Sequence, residues 1–162
     1  MSSGKSTIGK KLSKKLKLDF VDLDQWISDS EGKSIAQLFE EHGEKAFREM
    51  ESSYLQEIAT FPNAVIALGG GTPCSKANLE LIKANGKVVY LNAAQAMLIN
   101  RLSENPNNRP LVAGLSKSAI SKKVKEMLAD RSKYYTKADV TVDISKRTKV
   151  NELISELATQ LK

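Results

Sequence analysis

The chain has 162 residues, 41% of them hydrophobic and 27% charged, with a net charge of +6 and one cysteine. That size predicts a single domain spanning residues 1–162, and no apolar run approaches the ~18 residues of a membrane span. Cys74 has no partner for an internal disulfide and no nearby Cys or His for a metal site, while the lysine-rich stretches 10–17 and 117–125 lack the interleaved aromatics of a nucleic-acid surface.

The sequence opens MSSGKSTIGKKL. Ile8, Leu12 and Leu16 recur every four residues, predicting a helix that runs directly out of Gly4-Lys5-Ser6-Thr7. At such a helix start the free N–H groups and the helix dipole favour phosphate. Lys5 can reach the outer phosphates, and the Ser6 hydroxyl suits Mg²⁺. These four residues match the second half of the phosphate-binding loop G-x-x-x-x-G-K-[ST], which a strand normally feeds from the middle of a sheet. The expectation is that Met1 is an internal methionine, that the natural start lies upstream, and that the chain as given lacks one central strand. No apolar signal core follows Met1, so a cytoplasmic location is expected.

Phe20 to Leu23 reads as a short strand ending at Asp24. Asp22 and Asp24 flank Leu23, so their side chains are expected on one face at the carboxyl edge of the sheet, where open α/β sheets bind ligands. One carboxylate can hold a metal through water while the other accepts a proton from an attacking hydroxyl. Ser34 with Gln37 three residues later forms a capping box for a helix through Phe39, Gly43 breaks it, and a second helix runs from Glu44 to about Thr60.

Ala64 to Leu68 is a continuous apolar run suited to a strand buried on both faces, and Gly69-Gly70-Gly71 after it suggests a backbone that must approach a ligand. Ser75 caps a helix carrying Leu79 and Ile82, Gly86 stops it, Val88 to Leu91 form the next strand, and a helix spans Ala94 to Ser103. The stretch ENPNNRPLVAG, 104–114, reads as a functional lid whose Arg109 could close over a transferring phosphoryl group. A helix over 116–134, a strand over 140–144 and a last helix over 150–161 follow. The alternation predicts an α/β fold, a three-layer α/β/α sandwich around a parallel sheet. Arg48 and Arg131, taken alone, would pass as surface residues.

Taken together, GKSTIGKKL, FVDLDQWI, GKSIAQLFEEHGEKAFREMES, VIALGGGTP, VVYLNA, NRPLV and DRSKYYTKAD resemble the shikimate kinase family over almost the whole chain. The resemblance implies a P-loop, nucleoside-monophosphate-kinase-like fold with a lid over about 104–115 and substrate-binding helices over about 34–60. It implies transfer of the γ-phosphoryl of ATP to the 3-hydroxyl of shikimate, on the route to chorismate and the aromatic amino acids. By motif position Gly4, Lys5, Ser6 and Thr7 would take the phosphates, Ser6 and Asp22 the Mg²⁺, and Asp24 the reacting hydroxyl. Arg48, Gly70 and Arg131 would bind the substrate, with Glu51 holding Arg48 and Phe47 packing beside the pocket. Arg109 would neutralise the transferred group, and Arg101 and Arg147 would contact the nucleotide. Lys149 stands where some members carry a proline against adenine.

Two rival readings share parts of this pattern. One is another small P-loop kinase, of the gluconate or nucleoside-monophosphate type. The other is a nucleotide-binding module with degraded catalysis, which would bind ATP without phosphorylating anything. Arg48, Gly70 and Arg131 favour a compact carboxylate over a nucleotide base, and a mere binding module has no need of Asp24 and Arg109. The expected partners are shikimate and ATP, with no nucleic acid or membrane, in a monomer.

Overall fold

Helix α1 (Lys5–Leu16) starts at Gly4, whose left-handed backbone (φ 90°) turns the chain into the first helical turn, and it buries Ile8 and Leu12. This is seen in a computed structural model that describes residues 2–104, 110–145 and 150–161. Strand β1 (Asp19–Asp22) follows and pairs in parallel with β2 (Ala64–Ala67), Asp19 opposite Ala64 and Asp22 opposite Ala67. Strand β3 (Val89–Asn92) pairs in parallel with β4 (Val140–Asp143), Val89 opposite Val140.

Between β1 and β2 lie helices α2 (Leu23–Glu31) and α3 (Ile35–Ile58); α4 (Lys76–Asn85) leads from β2 to β3. Helices α5 (Gln95–Glu104) and α6 (Lys117–Tyr135) lead to β4, and α7 (Val150–Gln160) closes the chain. Among the described residues no helix is long and apolar enough to cross a membrane.

The parallel sheet is present as two separate two-stranded halves, because no ladder joins β2 to β3. The reason is spacing: strands must lie ~4.8 Å apart to share hydrogen bonds. Here a cavity of 1810 Å³ is walled by Val65, Ile66 and Ala67 of β2, by Val89, Tyr90 and Leu91 of β3, and by Ile8, Leu12 and Leu16 of α1. A small-molecule site needs only ~300–1,000 Å³, so much of this volume is the gap between the sheet halves.

The core divides in the same way. Ile8, Leu12, Leu98, Leu102, Val124 and Leu157 belong to one cluster, whereas Leu23, Ile27, Leu38, Phe47, Leu55 and Ile58 form a second. Adjacent residues of β2 serve different clusters, Val65 the first and Ile66 the second, as the alternation of a strand requires.

One local outcome differs from the sequence reading. The strand expected to reach Leu23 ends at Asp22, and α2 begins at once because the Asp22 carboxylate accepts the Asp24 N–H and caps it. Leu23 and Ile27, four residues apart, are both fully buried, and Gly32 (φ 64°) ends the helix. The break expected at Gly43 is present: its non-helical backbone (φ 77°, ψ 171°) kinks α3 into two helical stretches, the first opened by a complete Ser34–Gln37 capping box. Of the expected lid, Pro110–Val112 form a 3₁₀ turn with Val112 buried. Arg109, Arg147 and Lys149 lie outside the described residues.

Candidate active site

The site is assembled where α1, β1, α2 and the glycine turn after β2 meet. Lys5 stands in the first turn of α1, and its ammonium donates to both Asp22 oxygens, at 2.9 and 3.1 Å. It also reaches Asp24 Oδ2 at 3.1 Å. The Ser6 hydroxyl donates to Asp22 Oδ2. Asp22 is the last residue of β1 and Asp24 lies in the first turn of α2, so the two carboxylates do not leave one strand face as the spacing predicts. They converge all the same, because the strand-to-helix turn carries Asp24 back toward Lys5.

Burial pushes the Asp22 carboxyl up, but the hydrogen bonds from Ser6 and Lys5, the Lys5 charge and the Asp24 N–H outweigh it and hold the group below its ordinary 3.8. Because the folded value is depressed, the stability this contributes is present above the unfolded value and lost as pH falls through the folded one. Comparing urea midpoints of the wild type and Asp22→Asn should give a constant difference above about pH 5 that shrinks below about pH 4.

The residues fit a Mg²⁺ site. Among the described residues no group of three or more His, Cys, Asp or Glu could hold a metal, but magnesium in phosphoryl-transfer sites takes one or two carboxylates plus substrate phosphates and water. The Ser6 hydroxyl and the ionised Asp22 carboxylate supply that donor set. Gly4, left-handed, followed by the right-handed Lys5 aims successive N–H groups into one concavity, a backbone suited to anions. Arg101 lies beside it, donating to the Ser2 carbonyl at 2.9 Å.

Across the cavity, Arg48 projects from α3. Its Nη1 donates to Glu51 Oε2 at 2.8 Å and its Nη2 to Glu44 at 3.3 Å. Burial alone would lower its pKa, but the Glu51 and Glu44 carboxylates raise it, so the guanidinium is permanently charged. Glu51 itself is only 2% exposed; a buried carboxylate needs this degree of pairing. Phe47 and Phe39 sit under the guanidinium, with ring centroids 5.6 and 5.8 Å from Cζ.

The glycine turn is shaped by its neighbours. A Cβ on Gly71 would lie 2.6 Å from Arg48 Cζ, and one on Gly69 would lie 2.7 Å from Glu51 Oε1. The close approach expected of Gly69-Gly70-Gly71 is therefore first an approach to the Arg48–Glu51 pair. Gly71→Ala should displace the guanidinium and weaken binding of an anionic substrate by roughly tenfold, about 1.4 kcal/mol, with ATP binding unchanged; calorimetry with each ligand checks this. Gly70 contributes its carbonyl, which accepts from Tyr135 Oη at 2.5 Å and from Cys74 Sγ at 3.4 Å.

Lys5, Ser6, Thr7, Asp22 and Asp24 line one continuous cavity with Arg48, Gly70, Arg101, Arg131 and Gly4. The structure thus brings together every candidate residue it describes. Sequence reasoning missed Thr72, Asn78 and Tyr135, which contact the glycine turn or its carboxylate partner. The only signal for Thr72 was its place directly after three glycines.

Comparison with known proteins gives one answer. The shikimate kinase family model matches residues 1–162. The chain is 40% identical over 146 residues to a shikimate kinase of Parabacteroides distasonis, covering 90% of this chain and 84% of that one. It is 36% identical over 162 residues to one from Sulfurihydrogenibium sp., covering 100% and 93%. The crystal structure of shikimate kinase from Bacteroides thetaiotaomicron superposes with a TM-score of 0.90 at 34% identity, covering 99% of this chain and 93% of that one. Shikimate kinase from Acinetobacter baumannii in complex with shikimate gives 0.90 at 30% identity, covering 100% and 91%. With its P-loop kinase fold and its whole length matched, the chain belongs to the shikimate kinase family.

Proposed function

We propose that this chain phosphorylates the 3-hydroxyl of shikimate with ATP, giving shikimate 3-phosphate and ADP. The observation that carries the reading is the convergence of Lys5, Asp22 and Asp24 at one end of a cavity whose other side presents the paired Arg48. A polyphosphate and a small carboxylate can thereby be held in one cavity.

In this reading the Arg48 guanidinium and Arg131 take the substrate carboxylate, a planar anion that suits guanidinium forks. Asp24 accepts a hydrogen bond from the 3-hydroxyl. As the new bond forms from the substrate oxygen to the γ-phosphorus, the bond from that phosphorus to the β–γ bridging oxygen breaks, and the hydroxyl proton passes to Asp24. Lys5 moves from the carboxylates onto the outer phosphates, where it balances developing charge. Ser6 and Asp22 would hold Mg²⁺, which when bound neutralises phosphate charge. By motif position Arg109 would neutralise the transferred group, and Thr7, Arg101 and Arg147 would serve the nucleotide. A monomer is what the family resemblance implies, and a cytoplasmic location suits an enzyme that consumes ATP.

The test is ADP release from Mg-ATP with and without shikimate, using this chain beside one extended upstream by a strand and a loop glycine. Shikimate-dependent release from either chain supports the kinase. Release that gluconate stimulates and shikimate does not would assign another small-molecule kinase, and ATP binding without any release would favour the degraded module.

A further inference from the structure

We infer that Thr72 is a positioning residue for substrate recognition: through its hydroxyl it orients the Glu51 carboxylate and so fixes the direction in which Arg48 presents its guanidinium to the cavity. This rests on the shikimate reading of the site only for the identity of the anion.

Thr72 is 1% exposed, and its Oγ1 donates to Glu51 Oε1 at 2.6 Å. The other oxygen, Oε2, accepts from Arg48 Nη1 at 2.8 Å. A carboxylate with one donor on each oxygen has its terminal torsion fixed, a torsion that is otherwise broad. With Oε1 held by Thr72, Oε2 has one direction in which to meet Arg48.

Thr72 is itself clamped. Its carbonyl accepts from Asn78 Nδ2 at 2.8 Å, the same amide donates to Ser52 Oγ at 3.0 Å, and Ser52 Oγ donates to the Arg48 carbonyl at 2.9 Å. The circuit ties three elements together: α3 through Arg48, Glu51 and Ser52, the glycine turn through Thr72, and α4 through Asn78. A plain packing role would need neither a hydroxyl at position 72 nor an amide at position 78. Buried polar networks of this kind hold one geometry when fully satisfied, and an arginine that must read a planar carboxylate gains from losing no rotamer freedom on binding.

The test compares Thr72→Val, which keeps the shape and removes the donor, with Thr72→Ser, which keeps the donor. Two readouts apply to the whole chain: calorimetric binding of shikimate and of ATP, and the NMR signals of the Arg48 guanidinium N–H groups. Thr72→Val should weaken shikimate binding about tenfold, the scale expected when a buried charged acceptor loses one donor. ATP binding should stay within about twofold, and Thr72→Ser should recover most of the loss. The Arg48 Nη signals should be resolved in the wild type and Thr72→Ser and averaged in Thr72→Val.

Unchanged Arg48 signals in a folded Thr72→Val would overturn the inference, as would equal loss of ATP and shikimate binding. If the wild type binds ATP and no shikimate, the functional reading fails, and the Arg48 signals alone decide the role of Thr72. If Thr72→Val does not fold, Thr72→Ser and Asn78→Ala carry the comparison: a shikimate-specific loss in Asn78→Ala with Thr72→Ser near wild type supports the clamp, and a wild-type-like Asn78→Ala overturns it.

Discussion

Asp24→Asn should lower kcat by about 10²–10³ while leaving the fold intact, a loss in the range that positioned acid–base groups contribute. Asn keeps the shape of the side chain and removes its charge and its ability to take a proton. The structural cost is small. Lys5 retains Asp22, to which it donates at 2.9 and 3.1 Å, and removing one of two neighbouring carboxylates relieves like-charge repulsion. Shikimate binding should weaken only a few-fold, because Arg48 and its Glu51 partner are untouched. ADP release with saturating ATP and shikimate, alongside a melting curve, checks both halves. A variant within about tenfold of wild type would remove Asp24 from the proton-accepting role and leave it as a partner of Lys5.

That prediction depends on a placement which the sequence disclosed only in part. The pair Asp22 and Asp24 was legible as a carboxylate pair at a strand end, but its convergence on Lys5 arises from the start of α2, not from strand alternation. The cap at Asp22, the apolar pair Leu23 and Ile27 and the stop at Gly32 were all visible signals for that helix. The strong strand residues Phe20 and Val21 directly before them masked it, since a period-2 reading was simply carried one residue too far. Gly43, by contrast, was legible as a break because a positive φ suits glycine, and the backbone does leave the helical region at that residue.

Of the candidate site, Lys5, Asp22, Asp24 and Gly70 were legible from phosphate chemistry, the strand end and the glycine run, whereas Arg48 and Arg131 passed as surface residues until the family resemblance singled them out. The Thr72–Glu51 bond, spanning 21 residues, was not legible. A hydroxyl and a carboxylate at that separation meet only through the packing of α3 on the glycine turn, and until that packing is known only its place after three glycines sets Thr72 apart from any other Thr.

The gap between the sheet halves carries the other large expected effect. Joining an apolar segment of about five residues, enough for one short strand, ahead of Ser2 should raise the melting temperature by roughly 10–20 °C. Val65, Ile66, Val89 and Leu91 are only half-buried, although they face a cavity between two strand pairs rather than solvent on an outer surface. A strand between β2 and β3 would hydrogen-bond to both and complete their burial. Full burial of each large apolar side chain is worth ~1.5–3 kcal/mol, against about 1.5 kcal/mol to order each added residue. Five added apolar side chains and the outstanding half of the four half-buried ones gain roughly 10 kcal/mol at the lower figure, against about 7.5 kcal/mol of ordering; with the new ladder hydrogen bonds the net is about 5 kcal/mol, and at ~2–4 °C per kcal/mol for a chain this long that is the stated rise. The same segment would feed directly into Ser2 and Gly4, where Arg101 already grips the Ser2 carbonyl, so the KM for ATP should fall as well. Calorimetric melting of three chains decides the matter: the chain as it stands, one with an apolar strand-forming extension, and one with a glycine–serine extension of equal length. If both extensions melt alike, the gap between β2 and β3 does not accept a strand. A rise confined to the apolar extension would mean that the two halves of the sheet, and with them the two halves of the core, are held apart by the want of one strand.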